Sequence, residues 1–297
     1  MNVPEISKQF FSGITAADII IFLPGVIIFG IWLLKTSLGR KALAESMPRR
    51  NNMPVYLPFI PLLLWFGAVS LAMSIKGKLL PDLADWQIAF LDNLILCIGA
   101  IVAMAAIIFL ARARFARRLK GFGLNAKTIH KDFFAGVLNL LCVWPLLILV
   151  ILLTIFVGKV ILGQDFEMQQ HQELELIAAY PQLPVRVLIV ITTVAIVPIF
   201  EEMLFRGLFQ TMLRSFLEAR KHQSPITNYQ IPNRAWLSIA ISSGLIATVH
   251  AEPAHWPALF VLSACLGYSY ERSGSLFRPI FIHSLFNASS VIAALYQ

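Results

Sequence analysis

Long uninterrupted apolar stretches, each bounded by charged or turn-forming residues, dominate the pattern of this chain. A helix needs about 20 predominantly apolar residues to cross a bilayer core. Runs of that order cover about Asp18 to Lys35, Val55 to Ile75, Gln87 to Ala111 and Phe133 to Leu162. A fifth begins near Pro184, and others follow at about Ala235 to Ala251, Trp256 to Tyr270 and Pro279 to Leu295. The pattern predicts an all-α fold, a polytopic transmembrane helical bundle of about eight helices, with the seventh span the weakest. Met1 to Ala17 is mixed in character and lacks the basic start and small-residue cleavage site of a signal peptide, so the first span is expected to stay in the mature protein. Ser224-Pro225-Ile226-Thr227-Asn228 reads as a turn-rich connector. No internal repeat, low-complexity tract or soluble domain stands out.

Composition agrees with the pattern. Of 297 residues, 58% are hydrophobic and 13% charged, with a mean hydropathy of +0.75, whereas soluble domains run about 45 to 50% apolar and about 25% charged. The net charge of +8 fits basic cytoplasmic loops, and no basic-aromatic module for nucleic acid is present. Cys97, Cys142 and Cys265 all lie in apolar runs without metal-ligand spacing, as small core residues do.

Charge also orients the spans, because Lys and Arg concentrate in cytoplasmic loops. The first, third, fifth and seventh connections carry most of them: Arg40, Lys41, Arg49 and Arg50; Arg112, Arg114, Arg117, Arg118, Lys120, Lys127 and Lys131; Arg214, Arg220, Lys221 and Arg234; Arg272 and Arg278. The other side holds Lys8, Lys76, Lys78, Lys159 and Arg186. Both termini are therefore expected outside, in a multi-pass protein of a bacterial-type inner (cytoplasmic) membrane. The stretch from Arg112 to Lys131 reads first as a topology signal, and second as a surface for anionic lipid head groups.

Ionisable groups inside spans cost at least about 2.5 to 3.5 kcal/mol when unpaired and so mark function by default. Asp92, Glu201, Glu202, Arg206, His250 and His283 are such groups, with Asn287 as a neutral amide and Glu252 and His255 just beyond a span. Glu202 and Arg206 are four apart and face each other on a helix. Taken alone they could be a structural ion pair between helices, but Glu201, about 100° further round, is left without that partner. A carboxylate in apolar surroundings suits a general base. His283 and Asn287, also four apart, share a face; they could supply two donors to an oxyanion or two interhelical hydrogen bonds. His250, near the end of its span, reads equally as an interfacial residue. Glu252 and His255, flanked by Pro253 and Pro257, read as loop residues, and Asp92 as an interfacial or paired group. Pro198 should loosen its helix and free backbone carbonyls, hinting at a wet pocket beside the acids. Zinc-protease His-Glu-x-x-His, serine-hydrolase Gly-x-Ser-x-Gly and phosphate-loop signatures are absent.

Three pieces together resemble the CAAX prenyl protease and bacteriocin-processing family of intramembrane proteases, also called the Abi family. They are Glu201-Glu202-Met203-Leu204-Phe205-Arg206, Ile246-Ala247-Thr248-Val249-His250 and His283-Ser284-Leu285-Phe286-Asn287. The flanks Gly207-Leu208-Phe209-Gln210 and Tyr270-Glu271-Arg272-Ser273-Gly274-Ser275-Leu276 also look like the family, whereas Ile246 stands where it usually has phenylalanine. The resemblance covers about residues 184 to 295. It implies a catalytic core over 184–297, preceded over 1–183 by about four spans without a family match.

What the resemblance implies is an intramembrane endopeptidase acting on a membrane-embedded or lipid-anchored peptide or protein. Glu201 and His250 would hold and deprotonate the attacking water, His283 and Asn287 would stabilise the oxyanion, and Glu202 with Arg206 would position the first acid. No cofactor is required by this scheme. A divalent metal such as zinc, if used, would take Glu201, His250 and His283. Peptide maturation, bacteriocin self-immunity and membrane-protein processing all remain open as roles. Two further expectations compete: a proton-coupled transporter, which should show inverted repeats that this sequence lacks, and a non-proteolytic scaffold or immunity protein.

Straight-helix geometry leaves a problem. Counting up from Arg220 and Ala235 at 1.5 Å per residue puts Glu202 and His250 at similar depth, roughly 27 and 22 Å from the basic side. His283 falls short of both, unless a helix is tilted, broken or kinked at Pro198.

Overall fold

A computed structural model describes residues 16–169, 172–219 and 233–295; the mixed segment before residue 16 and the connector at 224–228 lie outside them. The described residues are helical and contain no strand, only an isolated bridge between Asn51 and Phe115. Each expected span coincides with a helix. These are α1 (Ala16–Lys35), α2 (Phe59–Leu79), α3 (Asp85–Arg114) and α5 (Ile129–Leu162), then α7 (Leu183–Ala219), α8 (Arg234–Thr248), α9 (Trp256–Ser273) and α10 (Phe277–Leu295). Among the described residues α2, α3, α5 (with the short turn before it) and α7 are long and apolar enough to cross a membrane. Two short helices were not foreseen: α4 (Arg118–Phe122) and α6 (Gln172–Ala179).

The bundle is built around α7. Phe200, Met203, Leu204, Phe205, Leu208 and Phe209 fill the main core together with the small-residue stripe Ala100, Ala103, Ile107 and Ala111 of α3. Stripes of small residues let helices approach closely where lipid supplies no hydrophobic drive. A second cluster, Val143 and Leu147 with Leu262, Leu266 and Ile282, joins α5 to α9 and α10. A third, Ile177, Val185, Ile189 and Val291, seats α6 against α7 and α10. At Gly25 of α1 a side chain would strike the Leu141 carbonyl and Pro145 of α5; only glycine permits that contact. Leu63 and Leu71 of α2, Phe109 of α3, and Leu149, Leu153 and Phe156 of α5 point outwards and are exposed, the inverse of a soluble surface and the expected face towards lipid. Asp92 pairs with Lys76 on the neighbouring α2, as its position near the span's start suggested.

α7 is one continuous helix but not a uniform one. Residues Thr192–Ile196 and Glu202–Gln210 are wound as π-helix, a rare geometry that clusters at functional sites. Val197 N–H bonds the carbonyl of Thr192, five residues back. Continuing that pattern, Pro198 would bond Thr193, but proline has no N–H. The Thr193 carbonyl is thus freed, as Pro198 foretold, and Asn287 of α10 takes it with a 2.9 Å hydrogen bond from Nδ2.

Candidate active site

The two adjacent glutamates are separated by their surroundings. Glu202 is fully buried: Arg206 Nε lies 3.1 Å from its Oε2 and His283 Nδ1 lies 3.0 Å from its Oε1. Arg206, 1% exposed, also donates from Nη2 to the carbonyl and hydroxyl of Ser263 on α9, at 3.0 and 2.7 Å. Its Nη1 has no hydrogen-bond partner. Glu201 keeps 17% of its side chain exposed and faces a cavity of about 530 Å³. His283 stands between the acids, its Nε2 3.9 Å from Glu201 Oε2. A carboxylate can only accept, so His283 Nδ1 carries a proton given to Glu202. Nε2 is then the atom turned to Glu201.

The same tautomer logic applies to His250. Its Nδ1 lies 2.8 Å from the Ile246 carbonyl and must donate, leaving Nε2 as the acceptor when the ring is neutral. Its backbone carbonyl is held by Trp256 Nε1 at 2.9 Å. Ile246 itself is buried in the main core, so the position where the family usually has phenylalanine packs inward and supplies a carbonyl to the histidine. His250 lines the same cavity as Glu201 and His283, but no direct hydrogen bond joins His250 to Glu201.

Asn287 lines the cavity too. One amide proton is committed to Thr193, so the second proton and Oδ1 are what it can offer a ligand. Thr192 adds a buried hydroxyl without a hydrogen-bond partner. The set Glu201, His250 and His283 is not drawn together as metal ligands: among the described residues no three His, Cys, Asp or Glu side chains are placed to hold a metal ion.

Two cavity residues escaped sequence reasoning. His255, expected in a loop near the surface, is buried in a 3₁₀ turn over Pro253–His255, where its Nε2 donates to the Gln169 carbonyl at 2.9 Å. The flanking prolines that suggested a loop are what turn the chain inward there. Asn93 of α3 is buried beside the cavity and bonds its own helix at Ala89. Nothing in its sequence context marked it. Leu174 and Glu175 of α6 also line the cavity, so the unforeseen short helix lies across it.

His283 reaches Glu202 despite the depth mismatch. Gln210 Nε2 bonds the Gly267 carbonyl at 3.1 Å, and Arg214 Nε lies 3.3 Å from Glu271 Oε1 near the foot of α9. The last turn of α7 therefore projects past α9, and counting from its end overstates the height of Glu202. The nine π-wound residues Glu202–Gln210 add to this, because wider turns advance less along the axis than α-helical ones.

Against families of known proteins, residues 183–289 match the model described as Rce1-like, type II CAAX prenyl endopeptidase Rce1-like. No curated protein and no solved structure matches the chain. The matched stretch contains all three motifs and every residue of the acid–histidine cluster, and this part of the chain is CAAX-protease-like.

Proposed function

We propose, from the Rce1-like character of residues 183–289, that the protein is an intramembrane endopeptidase that hydrolyses its peptide bond without a metal, by carboxylate-activated water. One observation carries the proposal: His283 bridges a buried, arginine-paired Glu202 and a cavity-facing Glu201, at 3.0 and 3.9 Å.

Water enters the cavity between Glu201 and His250. It gives one hydrogen bond to a Glu201 oxygen and the other to His250 Nε2, whose Nδ1–H is occupied by Ile246. Glu201 takes the proton as the water oxygen attacks the carbonyl carbon, and later delivers it to the departing nitrogen. The oxyanion is met by a proton on His283 Nε2 and by the free amide proton of Asn287. Glu202 and Arg206 are positioning residues, fixing His283 through its Nδ1. The substrate is a membrane-embedded or lipid-anchored peptide, reaching a site set among lipid-facing helices of the inner membrane.

The test is cleavage of a membrane-peptide library, including C-terminally prenylated members, by protein purified in detergent. Wild type should cleave some members while Glu201→Ala and His250→Ala leave them intact. Equal cleavage by all three proteins would sink the mechanism, and chelator treatment of the wild type should leave the rate unchanged.

A further inference from the structure

A second concavity, about 820 Å³, lies well away from the acid–histidine cluster, where α3 ends and α4 begins. It is lined by Arg112, Arg117, Arg118 and Lys120, with Phe109 and Leu124 as apolar wall. We propose that it binds the head group of an anionic phospholipid in the leaflet on the side that the charge distribution assigns to the cytoplasm.

Charge balance is the first reason. Several arginines facing this side are matched: Arg214, Arg234, Arg272 and Arg278 each have a carboxylate partner. None of the ion pairs among the described residues involves Arg112, Arg117, Arg118 or Lys120. Arg40, Arg49, Arg50 and Arg114 are not in those ion pairs either, but they do not line the concavity. What sets the four apart is that they converge on one hollow, an arrangement suited to an anion.

The apolar wall identifies the anion as a lipid. Ile98, Ile101, Val102, Ala105 and Phe109 recur on one exposed face of α3 and lead directly into Arg112. Phe109, at 72% exposure, stands at the junction of that stripe and the cations. A phosphodiester at the arginines would place its acyl chain along this stripe, which a free phosphate could not use. Basic pockets at the ends of transmembrane helices take anionic head groups on these grounds.

The hollow is preformed. Asn52 N–H bonds the Arg114 carbonyl at 3.0 Å and Ala116 N–H bonds the Arg50 carbonyl at 3.1 Å. On the other flank, Leu276 N–H bonds the Gly123 carbonyl and Tyr270 Oη donates to the Phe122 carbonyl, both at 3.0 Å. Arg118 is held at φ +50, a left-handed conformation that costs a non-glycine residue energy and persists where surroundings enforce it. The back of α4 meets the catalytic helix: Phe122 fills the notch at Gly207, next to Arg206, so that any side chain there would collide with its ring. A bound head group would therefore hold α4 on α7.

Native mass spectrometry of the full chain in mild detergent tests this, titrating phosphatidylglycerol, phosphatidylcholine of the same acyl chains, and inorganic phosphate. Phosphatidylglycerol should bind about tenfold more tightly than phosphatidylcholine, and phosphate should not displace it. Arg117→Gln with Lys120→Gln should weaken phosphatidylglycerol by about tenfold, whereas Arg40→Gln with Lys41→Gln, on the same side but outside the hollow, should not. Arg117→Lys, which keeps the charge, should retain binding. Equal binding of both lipids, equal losses in both double variants, or displacement by phosphate would each overturn the assignment. The wild-type lipid comparison stands even if a variant fails to fold.

Discussion

The middle of α7 and its C-terminal end are both polar but are held in opposite ways. Towards its C-terminus the helix is cross-linked: Arg214 meets Glu218 at 2.7 Å and Glu271 at 3.3 Å, Arg234 of α8 meets Glu218 at 3.2 Å, and Gln210 reaches the Gly267 carbonyl. Nearly every charge there is answered by one on a neighbouring helix. Around the first π segment and Glu201, by contrast, polar groups face a cavity and are only partly answered. Thr192 keeps an unpartnered hydroxyl, and among the described residues the one ion pair of Glu201 is the long one to His283, at 3.9 Å. Glu202 and Arg206 form the boundary between the two regimes. The contrast separates anchoring from chemistry: the C-terminal end fixes the helix, and the middle leaves a carboxylate facing the cavity.

Three substitutions can break or sharpen that division. The largest effect is expected from His283→Gln, which removes both the link to Glu202 and the donor at Nε2. Cleavage should fall by about 10²-fold or more, read as a single-turnover rate on a cleaved peptide. Arg206→Met comes next and should show mainly in stability. Glu202 would keep only its His283 hydrogen bond in the interior, and removing one partner of a buried ion pair costs about 3 to 5 kcal/mol, visible as a large drop in melting temperature in detergent. Arg214→Met acts at the anchored end, where Glu218 is partly exposed and can rehydrate, while the mostly buried Glu271 keeps Gln210 as a hydrogen-bond partner. A loss of about 1 to 3 kcal/mol is expected, with the cleavage rate of the folded fraction unchanged. If Arg214→Met slowed cleavage as much as His283→Gln, the two regions would not be separable.

Much of this arrangement was legible along the chain because it depends on local periodicity. Apolar run lengths gave the helices, and four-residue spacing placed Arg206 opposite Glu202 and put His283 and Asn287 on one face. Pro198 announced a freed carbonyl. What could not be read depends on contacts between distant segments. Asn287 is bound to Thr193 because the π segment Thr192–Ile196 changes which carbonyl the proline abandons, and no hydropathy pattern encodes π winding. His283 meets Glu202 because α7 projects past α9, a packing fact absent from residue counts. His255 and Asn93 enter the cavity through a 3₁₀ turn and a helix crossing, neither of which has a signature in neighbouring residues. The short helix α6 lay hidden in an acidic connection, where its apolar run is too short to mark a span.

The division between the adjacent acids is tested most directly by Glu201→Gln and Glu202→Gln, assayed side by side for cleavage rate and melting temperature in the same detergent. Glu201→Gln should abolish cleavage while melting like wild type, since its carboxylate carries no structural pairing beyond His283. Glu202→Gln should melt well below wild type, because Arg206 loses its counter-charge in the interior. Glu201→Gln that still cleaves at the wild-type rate, or Glu202→Gln that melts with wild type, would contradict the assignment of chemistry to the first acid and support to the second.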